Sequence, residues 1–303
     1  MKYFLLLTIP IFLLSSCGGF NQTQIIYHHS EYIAPSRNLN VCKTLKDSVI
    51  IYAIFVDVNA YHPWTQYDVD STLDSLKKAT TWIEQLAIKH NKNLIISPVI
   101  HSQQSKLSLS ENKIKPYDLS LDLGLLHSSN HKKLRTVDAW ANKIAIYASR
   151  GVKKTEERKM KTKNKVMNLE RLIARLRNEY RTDNVAVMFF VNGYYENTPS
   201  ASYHTYSNGP DVEYSIITNK NPAVIVHEFL HLFGAVDLYP TVTHNFNYEE
   251  IEESYPNEIM RIQHKSLDKL MISPITEYYI GWIDDLDHDN TRLLYHKYNV
   301  LEY

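Results

Sequence analysis

Several things are scarce in this 303-residue chain, and each scarcity narrows what it can be. Charge of one sign is missing: 33 basic and 33 acidic residues leave a formal net charge of zero. That argues against a dedicated nucleic-acid binder, which usually shows a basic excess. Cysteine is down to Cys17 and Cys42, too few for a disulfide framework. Internal repeats are absent. The N-terminal apolar run, Tyr3 to Leu14, is too short to span a bilayer comfortably. A hydrophobic content of 44% is nevertheless enough for a packed core.

The same N-terminus has the parts of an export signal. Lys2 is a short positive region, the apolar run follows, and Leu14-Ser15-Ser16-Cys17 closes it. This tetrapeptide resembles the bacterial lipobox. The resemblance implies cleavage before Cys17, acylation of its thiol, and a chain held at a membrane surface by lipid outside the cytoplasm. With Cys17 acylated no intrachain disulfide is possible, so folding rests on the core or a metal. Cys42 reads as an unpaired half-buried thiol rather than a cap for a metal.

Residues 18 to 46 are polar and aperiodic and read as a tether, which leaves 47 to 303 as the folded domain. SVIIYAIFVDV (48–58), NLIISPVI (93–100) and NVAVMFFVN (184–192) are apolar, β-branched runs that predict buried strands. A helix capped by Asp70 or Ser71 is predicted to run to about His90, and another over 137 to 149. Residues 101 to 134 read as a loop-rich insertion and 152 to 180 as a long helical segment. Eleven Lys or Arg against three Glu between Arg150 and Arg177 read as one solvated helix face. Val212 to Thr218 is predicted as an exposed or edge strand. The order of elements predicts an α+β fold, a mixed-sheet N-terminal lobe followed by a smaller, mostly helical C-terminal lobe.

The chemistry concentrates in HEFLHLFGAVDLY, residues 227 to 239. On a helix, positions four apart share a face, so His227 and His231 point the same way and can grip one ion. Glu228 lies beside the first and can reach a water on that ion rather than the ion itself. The flanking AVIVHEFLHLF is strongly apolar, which makes unpartnered histidines and glutamate costly there. Gly234 stands where the helix must end in a sharp turn, which can return Asp237 towards the two histidines as a third ligand.

H227-E-F-L-H231-L-F-G234-A-V-D237 resembles the metzincin signature H-E-x-x-H-x-x-G-x-x-H/D, in the variant with aspartate third. The likeness spans about 45 residues, from Val224 to Met260 and loosely on to Trp282. It implies a metzincin-like zincin fold and one catalytic Zn2+ held by His227, His231 and Asp237. It further implies Glu228 as the base and Met260, after Pro256 and Asn257, in a methionine turn beneath the metal. Met271 is a second candidate for that turn. Other third or fourth ligands stay open: His244, the acidic cluster Glu249, Glu250, Glu252 and Glu253, and Glu258. Tyr255, Tyr278 and Tyr279 are available phenols among 22 tyrosines.

The expectation is a zinc endopeptidase of the cell envelope. Its substrate would be a peptide laid extended along an edge strand near residues 203 to 218. The alternative is a non-catalytic surface lipoprotein that binds metal, envelope or carbohydrate.

Overall fold

The computed structural model describes residues 44–57, 63–101, 113–114, 131–148, 168–192, 200–203, 212–241, 246–263 and 265–294. Cys17 of the expected lipobox, most of the expected tether, Cys42, most of the 101–134 insertion, most of the basic run and His244 lie outside these residues.

Four parallel strands make the middle of the fold. β1 (Asp47–Val56) pairs in parallel with β2 (Leu94–Ile100) on one side and with β4 (Asn184–Val191) on the other. The two-residue β3 (Lys113–Ile114) continues the β2 side against Phe55 and Val56. β4 pairs in parallel with β6 (Tyr214–Ile217), and β6 pairs antiparallel with β5 (Ala201–Tyr203). The strand order is β2-β1-β4-β6-β5, a mixed sheet within an α+β fold.

Strand residues alternate between the two faces, so a strand buried on both reads as one continuous apolar run. β1 shows this directly. Val49, Ile51, Ala53 and Phe55 enter one core, whereas Tyr52, Ile54 and Val56 enter the other. In β4, Ala186, Met188 and Phe190 join the first, and Val185, Val187, Phe189 and Val191 the second. The second core is closed by α2 (His131–Ala148) and α3 (Asn168–Tyr180), through Trp140, Ile144, Leu172 and Leu176. The first is closed by α1 (Gln66–Lys89) and α4 (Pro222–His231).

The rest of the C-terminal region is made of short helices: α5 (Tyr248–Ser254), α6 (Pro274–Tyr279) and α7 (His288–Leu293). They form no core of their own. Ile251, Met260, Ile272, Ile275, Trp282 and Leu293 belong to the same apolar cluster as α1 and α4. The Trp282 indole N–H donates to the Leu45 carbonyl at 2.8 Å, and Leu45 N–H donates to the Ile280 carbonyl at 3.2 Å. The expected C-terminal lobe is thus continuous with the sheet's first core.

Two boundaries differ from the sequence reading. α1 begins one turn early, at Gln66, because Thr65 caps it: its hydroxyl oxygen accepts the Asp68 N–H at 3.2 Å. That extra turn also buries Val69. The strand expected at the edge is interior, since all four residues of β6 are buried between β4 and β5. Among the described residues the edge on this side is β5, whose three residues, Ala-Ser-Tyr, are too few and too polar to read as a strand from pattern alone.

Candidate metal centre

Helix α4 starts at Asn221, whose side chain accepts the Ala223 N–H at 3.0 Å, with Pro222 at the first helical position. Residues 223 to 231 are all buried, so the polar trio is sealed within an apolar helix. The helix ends at His231. Gly234 follows with φ 98°, a left-handed conformation open to glycine, and the chain reverses there. Ala235 N–H returns to the Leu230 carbonyl at 3.1 Å, and Leu238 N–H reaches the Met260 carbonyl at 3.0 Å. These bonds deliver Asp237 to the histidines.

The histidine rings are fixed from behind. His227 Nδ1 is 3.0 Å from the Ile259 carbonyl oxygen, and His231 Nδ1 is 2.7 Å from that of Ala235. A carbonyl oxygen only accepts, so each Nδ1 carries a hydrogen and each ring turns its Nε2 towards the other, with a lone pair there when the ring is neutral. The two Nε2 atoms face one another at 3.1 Å. Asp237 Oδ1 lies 3.2 Å from each Nε2, and it is buried with no hydrogen-bond partner. Three side-chain atoms that can each offer an electron pair therefore converge on one point. With both rings neutral that arrangement would be repulsive, so it calls for positive charge at that point, either a proton on a ring or a bound cation. Among the described residues, His227, His231 and Asp237 are the one group of three or more such side chains placed to hold a metal.

The protonation balance points the same way. Burial opposes a charge on His231, yet Asp237 and then Glu228 more than offset it and hold the imidazole's pKa up at about 9. Asp237 is buried too, which favours its neutral form, but the two imidazoles hold its carboxyl well below the usual carboxylate range. The pocket favours positive charge between these residues.

Glu228 is 4% exposed. Its Oε2 accepts from the Ser202 hydroxyl of β5 at 2.7 Å. Ser202 Oγ also lies 2.7 Å from Ser215 Oγ and 2.8 Å from the Glu228 carbonyl oxygen, and Ser215 donates to that carbonyl at 3.0 Å. Glu228 is thereby tied to β5.

Met260 is fully buried and its carbonyl takes the Leu238 N–H, whereas Met271 is 37% exposed. The rival ligands point elsewhere. Glu252 pairs with Arg261 at 3.0 Å and Glu250 with Arg292 at 3.1 Å. Glu258 turns towards Ser273 and Thr276. The Tyr255 hydroxyl donates to Asn290 at 2.5 Å, and the Tyr278 and Tyr279 rings meet each other edge-on at 5.6 Å.

The phenol that does reach the centre is Tyr239, which the sequence reading passed over. Its ring lies nearly parallel to His227 at 6.3 Å, and its hydroxyl bonds to the Asp237 carboxylate. Burial, with Asp237 and Glu228 beyond it, pushes its pKa up, so it stays a neutral donor. The signal was present as Asp-x-Tyr, two residues past the third ligand. It became readable only once the Gly234 turn was seen to bring both side chains back. Neither a protein-family model nor a curated protein matches this chain.

Proposed function

We propose that this protein is a zinc-dependent endopeptidase of the metzincin-like type. The observation that supports it is the convergence of His227 Nε2, His231 Nε2 and Asp237 Oδ1 on one point. Two imidazoles and one carboxylate are the donor set of a catalytic zinc, with a position left for water. Bound there, zinc would supply a water acidic enough to lose its proton near neutral pH.

The chain's own residues do the rest. Glu228, held by Ser202, takes the proton of the attacking water and hands it to the departing amine of the cleaved peptide. Tyr239 keeps Asp237 oriented. β5, at the end of the sheet and bonded to the base through Ser202, is the strand beside which an extended substrate would lie. Met260, buried in the same core as the α4 helix, would take the role of the methionine turn. The lipobox-like Leu14-Ser15-Ser16-Cys17 supports action outside the cytoplasm, with Cys17 as the lipid attachment point.

Metal analysis of the purified protein, paired with cleavage of an unfolded protein by wild type and Glu228→Ala, tests the reading. One zinc per chain in both, with cleavage only in wild type, is the expected result. Full cleavage by Glu228→Ala, or a wild type that takes up no zinc, would sink it. Labelling with a radioactive fatty acid, lost in Cys17→Ala, tests the anchor.

A further inference from the structure

The turn after α5 holds a carboxylate that the proposed chemistry does not use. Glu258 is 0% exposed, and among the described residues it is not part of the metal cluster. Its two oxygens collect three donors from two separate segments. Oε2 accepts from the Ser273 N–H, and Oε1 accepts from the Thr276 hydroxyl at 2.8 Å and the Met260 N–H at 3.3 Å. Ser273 is the N-cap of α6 and Thr276 lies in its first turn. Burial pushes the Glu258 carboxyl up to about 7, against the pull of these bonds.

A buried carboxylate is costly, and a well-packed apolar residue would avoid the cost. Its position suggests why one stands here. The next residue, Ile259, gives its carbonyl to His227 Nδ1 at 3.0 Å. The one after, Met260, gives its carbonyl to Leu238 N–H at 3.0 Å, beside Asp237. Ile259 N–H is itself tied to the Met271 carbonyl at 3.0 Å. Two of the three ligands are thus oriented by consecutive carbonyls, and Glu258 anchors the segment that bears them to α6. A single acceptor that takes three donors at once fits this position, and an apolar side chain would leave all three unpartnered.

We propose that Glu258 is a positioning residue that sets the relation between His227 and Asp237 without touching either. This rests on the reading that the cluster holds a metal. Groups that orient metal ligands from outside typically cost 10- to 100-fold in metal affinity when removed.

The test measures Zn2+ affinity by chelator competition and the visible spectrum of the Co2+-substituted protein. Wild type, Glu258→Ala, Glu258→Gln and Thr276→Val are compared, with circular dichroism and thermal melting as fold controls. Folded Glu258→Ala is expected to bind Zn2+ about 10- to 100-fold more weakly, with shifted cobalt bands. Glu258→Gln and Thr276→Val, which each disturb part of the network, are expected to shift the bands less and weaken binding less. If Glu258→Ala does not fold, these two milder variants decide, and weakened binding with shifted bands in either supports the role. Wild-type affinity and an unchanged cobalt spectrum in the folded variants would overturn it. A wild type that binds neither ion would instead bring down the metal reading itself, a result distinct from indifferent variants.

Discussion

Each face of the sheet buries histidine, and the two environments treat it in opposite ways. On the α2–α3 side, His101 is 4% exposed, its Nδ1 lies 2.7 Å from the Tyr52 hydroxyl, and its Nε2 is buried without a hydrogen-bond partner. Burial, then the nearby Arg175 charge, pushes its pKa down to about 4. On the α4 side, His231 is buried as deeply, yet its pKa is held at about 9. Burial alone drives a histidine to neutrality; what reverses it is a carboxylate aimed at the ring. A lone buried histidine with a phenol partner is a packing residue. Two histidines and an aspartate facing inward, with the rings' other nitrogens committed to carbonyls, instead gather positive charge.

The largest test of that contrast is Glu228→Ala, which should lower peptide cleavage on the order of 10²- to 10⁴-fold while zinc content stays unchanged. His101→Gln, on the opposite face, should leave both zinc content and cleavage as in wild type. A drop in zinc content in that variant would break the distinction.

Next comes pH. Folding of the metal-free protein should show opposite slopes from the two histidines. His231 has a raised folded pKa, so its stabilising contribution is complete below about 6.5 and is lost as pH rises through about 9. His101 has a lowered one, so its contribution is present above about 6.5 and is lost as pH falls towards about 4. Denaturant melts across pH, with His101→Gln flattening the acid side alone, check this. Glu258 adds a third slope. Its raised pKa makes folding less favourable as pH rises from about 4.5 to about 7, and Glu258→Gln should remove that trend.

A smaller effect is expected from Ser202→Ala, which deletes the donor to the Glu228 carboxylate. Stability should fall by about 1.5–3 kcal/mol, the range for a hydrogen bond to a charged group. Cleavage should fall while zinc affinity holds, measured by turnover and chelator competition. Unchanged turnover would mean that the edge strand does not govern the base. The smallest is Gly234→Ala, where a side chain in left-handed backbone should cost about 1–2 kcal/mol in thermal melts.

Much of this was legible in the chain. The three long strands, the α4 start at Asn221-Pro222 and the helix break at Gly234 follow from runs, caps and glycine conformations that act locally. The pairing of His227 with His231 also follows, because the helical repeat brings i and i+4 together wherever the helix lies. The edge position of β5 was not legible, since three residues carry no period and the strand exists only through its pairing with β6. Nor was the role of Glu258, whose partners stand 15 and 18 positions away along the chain.

What the sequence determined by itself is therefore the vocabulary of the site: a buried helix with two same-face histidines, a base beside the first, and a turn able to bring an aspartate back. Tertiary structure alone decided which carboxylate completes the cluster, which tyrosine joins it, which strand ends the sheet beside Glu228 and which acid ties the 258–260 turn to α6. The reason is physical. Backbone periodicity and capping act within a turn or two, whereas convergence of lone pairs depends on chain segments that meet only after the sheet and its first core have formed.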